Sequence, residues 1–150
     1  MTTDTTQQVA WAYGHAQKAL AGAKAAFDMA GVPLPPIVCL CGSTRFVDAF
    51  NRHRKGLTER GEIVLSIEVV TTQAREDDPQ HVNPGLKARV DVLHKRKIDL
   101  ADYVLVVSDE SGYFGDSTAS EIRYAAGHGK PVYFAYAAAE RRAYEMDLFP

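Results

Sequence analysis

Residues 103–134 read YVLVVSDESGYFGDSTASEIRYAAGHGKPVYF. The opening YVLVV is a short continuous apolar run, the pattern of a strand buried on both faces. A glycine-punctuated, hydroxyl-rich turn follows, and then a helical stretch over residues 117–128 with Glu121 in its first turn. Gly127-His128-Gly129 stops that helix, and residues 132–135 begin another strand. Strand, Gly-rich loop, helix N-terminus and strand together place backbone N–H groups and a carboxylate beside a ligand.

Upstream lies a helix over residues 86–101, with Leu86, Val90, Leu93 and Ile98 as its apolar side. Residues 37–41, IVCLC, repeat the buried-strand pattern, and Gly42-Ser43-Thr44-Arg45 follows at once. Residues 46–60 form an amphipathic helix with Phe46, Phe50 and Leu57 on one stripe, closed by Gly61, and residues 63–67 (IVLSI) form a strand. Residues 137–146 read as a terminal helix. At the start, residues 7–30 form an Ala-rich helix that Gly31, Pro33, Pro35 and Pro36 end. Residues 68–85 are long, polar and Pro-punctuated, with Glu76-Asp77-Asp78, a composition that suits a lid or a mobile loop.

Alternating strands and helices imply parallel βαβ units with right-handed crossovers. The expected fold is α/β, a Rossmann-like three-layer sandwich with a mostly parallel four- to five-stranded sheet plus an N-terminal helix. Residues 1–36 are the helix and its Pro-rich linker, and 37–150 the α/β domain. If the first strand is central, the strand order reverses between residues 37–41 and 103–107. The loops 42–45 and 108–118 then face each other where such sheets bind ligands.

The formal net charge of −2 over 150 residues gives no reason to expect polymeric nucleic acid as a partner. The local basic runs Arg52-His53-Arg54-Lys55 and His94-Lys95-Arg96-Lys97 read as solvated helix faces. The two cysteines, Cys39 and Cys41, share one strand face and read as small buried hydrophobes; no second Cys/His pair completes a zinc site, so no metal is expected. The absence of a disulfide framework fits a reducing cytosol. No apolar run reaches the ~20 residues of a membrane span, and no signal-peptide pattern is visible.

In the first loop, Gly42 permits close backbone approach, Ser43 and Thr44 offer hydroxyls and Arg45 a fork of N–H donors, a set suited to a phosphate or a ribose hydroxyl. The alternative is an ordinary turn with Ser43 or Thr44 as N-cap. Neither a Walker A loop nor G-x-G-x-x-G is present. In the second loop, Thr118-x-x-Glu121 matches a capping box. The other reading aims Glu121 into the crevice, where a carboxylate can attack a sugar carbon or stabilise an oxocarbenium ion. Asp116 either caps the helix or binds a sugar hydroxyl.

The runs LCGSTRF, LHKRKIDLADYVLVV and GYFGDSTASEIRYAAGHGKPVYF resemble the nucleoside 2-deoxyribosyltransferase-like superfamily, which includes N-glycosidases of nucleoside monophosphates. The nearest pattern is that of a small bacterial subgroup with HKRKIDLAD. The resemblance implies that Glu121 is the glutamate that attacks the anomeric carbon. It implies that Gly42, Ser43, Thr44 and Arg45 contact sugar and phosphate, with Asp116, Ser117 and Thr118 holding sugar hydroxyls or phosphate. His94 stands where better-known members carry a catalytic Asp; it is a candidate general acid, and Asp91, one turn earlier, is a candidate to orient it.

The expected activity is hydrolysis or transfer at the N-glycosidic bond of a nucleoside or nucleoside 5′-monophosphate, without cofactor or membrane. The alternative is a nucleotide-binding sensor without turnover. A phosphoribohydrolase of the cytokinin-activating type is a third reading, disfavoured because P-G-G-x-G-T is missing. By resemblance the chain is a homodimer, with the residue 7–30 helix contributing to the interface.

Overall fold

The computed structural model of the chain describes residues 2–67 and 84–150. The expected lid, with Glu76-Asp77-Asp78, therefore lies outside the described residues apart from its last two positions. The chain divides into two compact units, Met1–Pro35 and Pro36–Pro150. In the first, helix α1 (Thr2–Met29) is longer at its start than expected. Gly31 ends it at φ +73°, donating to the Asp28 carbonyl (3.0 Å) while Val32 N–H reaches the Phe27 carbonyl (3.0 Å). This pair of bonds satisfies carbonyls that the helix leaves open, and the left-handed conformation explains the glycine.

The second unit is an α/β domain. Strands β1 (Ile37–Gly42), β2 (Ile63–Leu65), β3 (Tyr103–Val107) and β4 (Val132–Phe134) form one sheet in the order β2-β1-β3-β4. Each neighbouring pair is parallel, with Cys39 opposite Val104 and Leu40 opposite Leu105. The central strands are the two continuous apolar runs, and the order reverses between them, as the patterning implied. The edge strands are shorter than expected; Ile63 and Tyr133 are exposed there.

A short 3-10 turn (Thr44–Phe46) leads into α2 (Val47–Glu59); α3 (Pro84–Leu100), α4 (Asp116–Gly127) and α5 (Ala137–Glu145) complete the domain. Among the described residues no helix is long and apolar enough to cross a membrane. Alternation along the strands divides the core in two. Val38, Leu40 and Val107 pack with Ala49, Phe50 and Leu57 of α2. Cys39, Cys41, Val104 and Val106 pack with Ile98 of α3, Ala119, Ile122 and Ala125 of α4, and Ala139 and Ala143 of α5.

Polar contacts hold these layers in place. Ile37 N–H donates to the Asp102 carboxylate (2.8 Å) and Asp102 N–H to the Ile37 carbonyl (2.7 Å), which sets the register of β1 against β3. Tyr124 of α4 donates to Asp99 of α3 (2.7 Å), and Arg96 contacts both (2.7 and 2.9 Å). Lys130 donates to the carbonyls of Asp99 and Ala101 (3.0 and 2.7 Å), a cation at the end of α3 where the helix dipole favours one.

The two basic runs differ. In α2, Arg52, Arg54 and Lys55 are exposed, as expected of a solvated face, and His53 is half-buried. In α3 the solvated-face reading fails: His94 is buried, and Lys97 donates to the Ser66 carbonyl (2.7 Å). A helix laid over a parallel sheet buries one stripe whatever its residue types, and His94 falls on that stripe.

Candidate active site

The two loops at the carboxyl ends of β1 and β3 do meet. The Arg45 guanidinium lies 4.1 Å from the centroid of the Tyr113 ring, and Phe46 meets the same ring edge-on. Gly42 sits at φ +153°, and a Cβ there would lie 2.3 Å from the Val107 carbonyl oxygen. Its lack of a side chain therefore serves the close approach of β1 to β3. Ser43 holds the N-cap position of the 3-10 turn, but its hydroxyl makes no capping bond. On the other loop Gly112 (φ +71°) has the backbone of Ala138 and Ala139 2.4 Å from where a Cβ would stand, so the loop is seated against the start of α5.

Helix α4 begins one residue earlier than the pattern suggested. Gly115 is the N-cap, and Ala119 N–H donates to its carbonyl (3.0 Å). Thr118 is thus the third helical residue and Glu121 the sixth, in the second turn. The Thr118–Glu121 capping box does not form, and both side chains point into the protein, 3% and 6% exposed. Asp116 is exposed at the first helical position, where the dipole favours a carboxylate.

Glu121 lines a small pocket with Asp91, Lys95, Ser117 and Ser120. Lys87 spans its rim from α3 to α4, donating to Asp91 (2.9 Å) and to the Ser117 hydroxyl (3.1 Å). The expected partnership of Asp91 with His94 is not present: Lys87, one turn earlier in α3, takes the carboxylate instead. Gly42, Ser43, Thr44, Arg45, Asp116, Thr118 and His94 are not among the residues that line this pocket.

Behind Glu121, His94 faces the sheet. Its Nε2 lies 3.3 Å from the Cys41 Sγ, 3.7 Å from the Cys39 Sγ and 3.8 Å from the Glu121 Oε2. All four residues are buried. Both cysteines occupy one strand face, as their spacing requires, but they are more than small hydrophobes. With His94 they form a cluster whose ligand atoms lie within 4.8 Å of one another. The sequence reading sought a second Cys/His pair; what the fold brings beside the two thiols is one histidine on a helix over the strand.

The electrostatics follow from burial and proximity. Burial pushes the Glu121 carboxyl up to about 7, against the pull of His94. For His94 burial works downward, but the Cys39 contact and the negative charges of Glu121 and Cys39 outweigh it and leave the imidazole raised. Cys39 is held down to about 6, first by its hydrogen bonding with Cys41, against burial, and then by His94. Cys41, deeper, is driven well up by burial. Among the described residues, the Glu121 Oε2 is buried without a hydrogen-bond partner, a condition that costs on the order of 1–3 kcal/mol unless a ligand or cation relieves it.

Sequence reasoning missed Lys87, Lys95, Ser120 and Tyr113 around the crevice. The i, i+4 spacing of Lys87 and Asp91 was a readable signal for one of them. The others depend on how α3 and α4 are rotated over the sheet.

No family model matches the chain, and no curated protein matches it. Among solved structures it is similar to a 2-deoxyribosyltransferase of the psychrotolerant bacterium Bacillus psychrosaccharolyticus. The TM-score is 0.48 and the identity 17%, over 67% of this chain and 72% of that one.

Proposed function

We propose that the chain is an enzyme that cleaves or transfers at the N-glycosidic bond of a nucleoside or nucleoside 5′-monophosphate, with Glu121 as its nucleophile. The observation that carries this reading is the placement of Glu121. It is a buried carboxylate with one unsatisfied oxygen, lining a pocket between α3 and α4. The motif resemblance around Gly42–Arg45 and Asp116–Glu121 supports the same substrate class.

The carboxylate attacks the anomeric carbon, and the carbon–nitrogen bond breaks with its electron pair on the base. The base takes a proton from water or from Lys95, and water or a second base then displaces the ester. Ser117, Ser120 and Asp91 are the pocket groups that meet sugar hydroxyls. Arg45, Ser43 and Thr44, at the neighbouring loop, take the 5′-phosphate when there is one. His94 is a positioning residue rather than the acid: it is 4% exposed and its Nε2 faces the thiols and Glu121, whose ionised form a protonated His94 favours.

The test is base release from ribo- and deoxyribonucleosides and their 5′-monophosphates, followed by chromatography. Release by the native chain and not by Glu121→Ala is the expected result. One observation favours a second reading, a nucleotide sensor without turnover: the histidine in the place of the expected catalytic Asp is engaged with two thiols. Saturable nucleotide binding with no base released, unchanged in Glu121→Gln, would select it. A homodimer is proposed with either reading, and a monomeric mass by light scattering would remove it.

A further inference from the structure

We infer that Cys39, Cys41 and His94 form a three-ligand binding site for a zinc(II) ion. The argument begins with β1. A C-x-C pair on a strand presents both sulfurs to one face, and α3 lays the His94 imidazole over them. A tetrahedral ion with sulfur at about 2.3 Å and nitrogen or oxygen at about 2.0–2.2 Å separates its ligand atoms by roughly 3.3–3.8 Å. The Nε2 of His94 stands 3.3 and 3.7 Å from the two sulfurs. These separations lie within that range before any ion has drawn the ligands together.

A second, independent observation is that same Glu121 Oε2, buried without a hydrogen-bond partner among the described residues. A cation held by the two sulfurs and the imidazole would bring positive charge toward that oxygen. The donor set defines the ion. Two thiolates and an imidazole are poor ligands for magnesium or calcium, which take oxygen, and suit zinc. Binding releases the thiol protons to solvent.

The site lies behind Glu121, the proposed nucleophile, and its test needs no nucleoside, so it can fail or hold independently of that reading. The full chain, stripped with a chelator, is titrated with zinc against a chromogenic competitor, and separately loaded with cobalt(II) and read by absorption. One zinc per chain is expected, together with a tetrahedral cobalt spectrum carrying sulfur-to-cobalt charge transfer. Cys39→Ser and Cys41→Ser should each weaken zinc by about 100-fold or more and alter that charge transfer, with helicity by circular dichroism unchanged. Cobalt bound without sulfur charge transfer would overturn the site even if the serine variants fail to fold. So would zinc binding that survives both substitutions, or no zinc bound by the native chain. Glu121→Gln should keep the sulfur bands, since the three ligands are unchanged, and their loss in that variant would overturn the three-ligand site.

Discussion

Val38 and Leu40 point to one face of β1 and Cys39 and Cys41 to the other, and the two faces meet different neighbours. Among the described residues, those buried with them beneath α2 are the apolar Ala49, Phe50, Leu57 and Val107. Beneath α3 and α4 the apolar cluster is interrupted by buried His94, Thr118 and Glu121. Burying charge-bearing groups costs several kcal/mol per ion unless they are paired, so the second face contributes less stability than its area suggests. The first face offsets this. One strand thus meets an apolar layer on one side and, on the other, sets two thiols beside His94 of α3.

Substitutions on opposite faces should therefore fail in different ways. The largest effect is expected from Glu121→Ala, with base release falling about 10³-fold or more. Its thermal midpoint should hold or rise, because an unsatisfied buried oxygen is removed. A loss of structure equal to the loss of activity would erase the distinction between the faces. Leu40→Ala, on the apolar side, should cost about 3 kcal/mol by denaturant titration, in the range for a buried leucine. Activity per folded molecule should stay within about twofold; a drop as large as that of Glu121→Ala would place chemistry on the α2 face.

Gly42→Ala tests the close approach of β1 to β3. Its Cβ meets the Val107 carbonyl, so β1 and β3 must separate or the backbone must strain, at a cost of about 2 kcal/mol. If stability is unchanged, the glycine is there for the ligand after all, and substrate affinity should fall instead.

The sheet was legible because IVCLC and YVLVV are continuous apolar runs, and central parallel strands demand such runs. Glu121 was open between a capping box and the crevice, and in the structure it turns inward to line a small pocket with residues of α3 and α4. Its partners were not legible. Cys39 and Cys41 lie 55 and 53 residues from His94, and their meeting depends on the rotation of α3, which no local pattern specifies. The capping box misled for a related reason. Thr118-x-x-Glu121 describes a helix start, but Gly115 supplies an earlier one, and both side chains turn inward. Gly42 was read for its loop when its neighbour across the sheet explains it.

The smallest effect belongs to Arg45, which belongs to neither face. Its guanidinium is exposed and lies over Tyr113, an arrangement worth about 0.5–1 kcal/mol at an exposed site. Stability should therefore change little in Arg45→Ala. If the guanidinium also receives a 5′-phosphate, one charge-assisted contact is lost, and the KM for a nucleotide should rise about tenfold. The KM for the matching nucleoside should not move, and kcat should hold for both. An equal rise for nucleotide and nucleoside would mean that Arg45 acts only by seating Tyr113. In that case Tyr113→Leu should reproduce the effect, and the phosphate must be sought nearer Lys87 and Lys95, the cations beside Glu121.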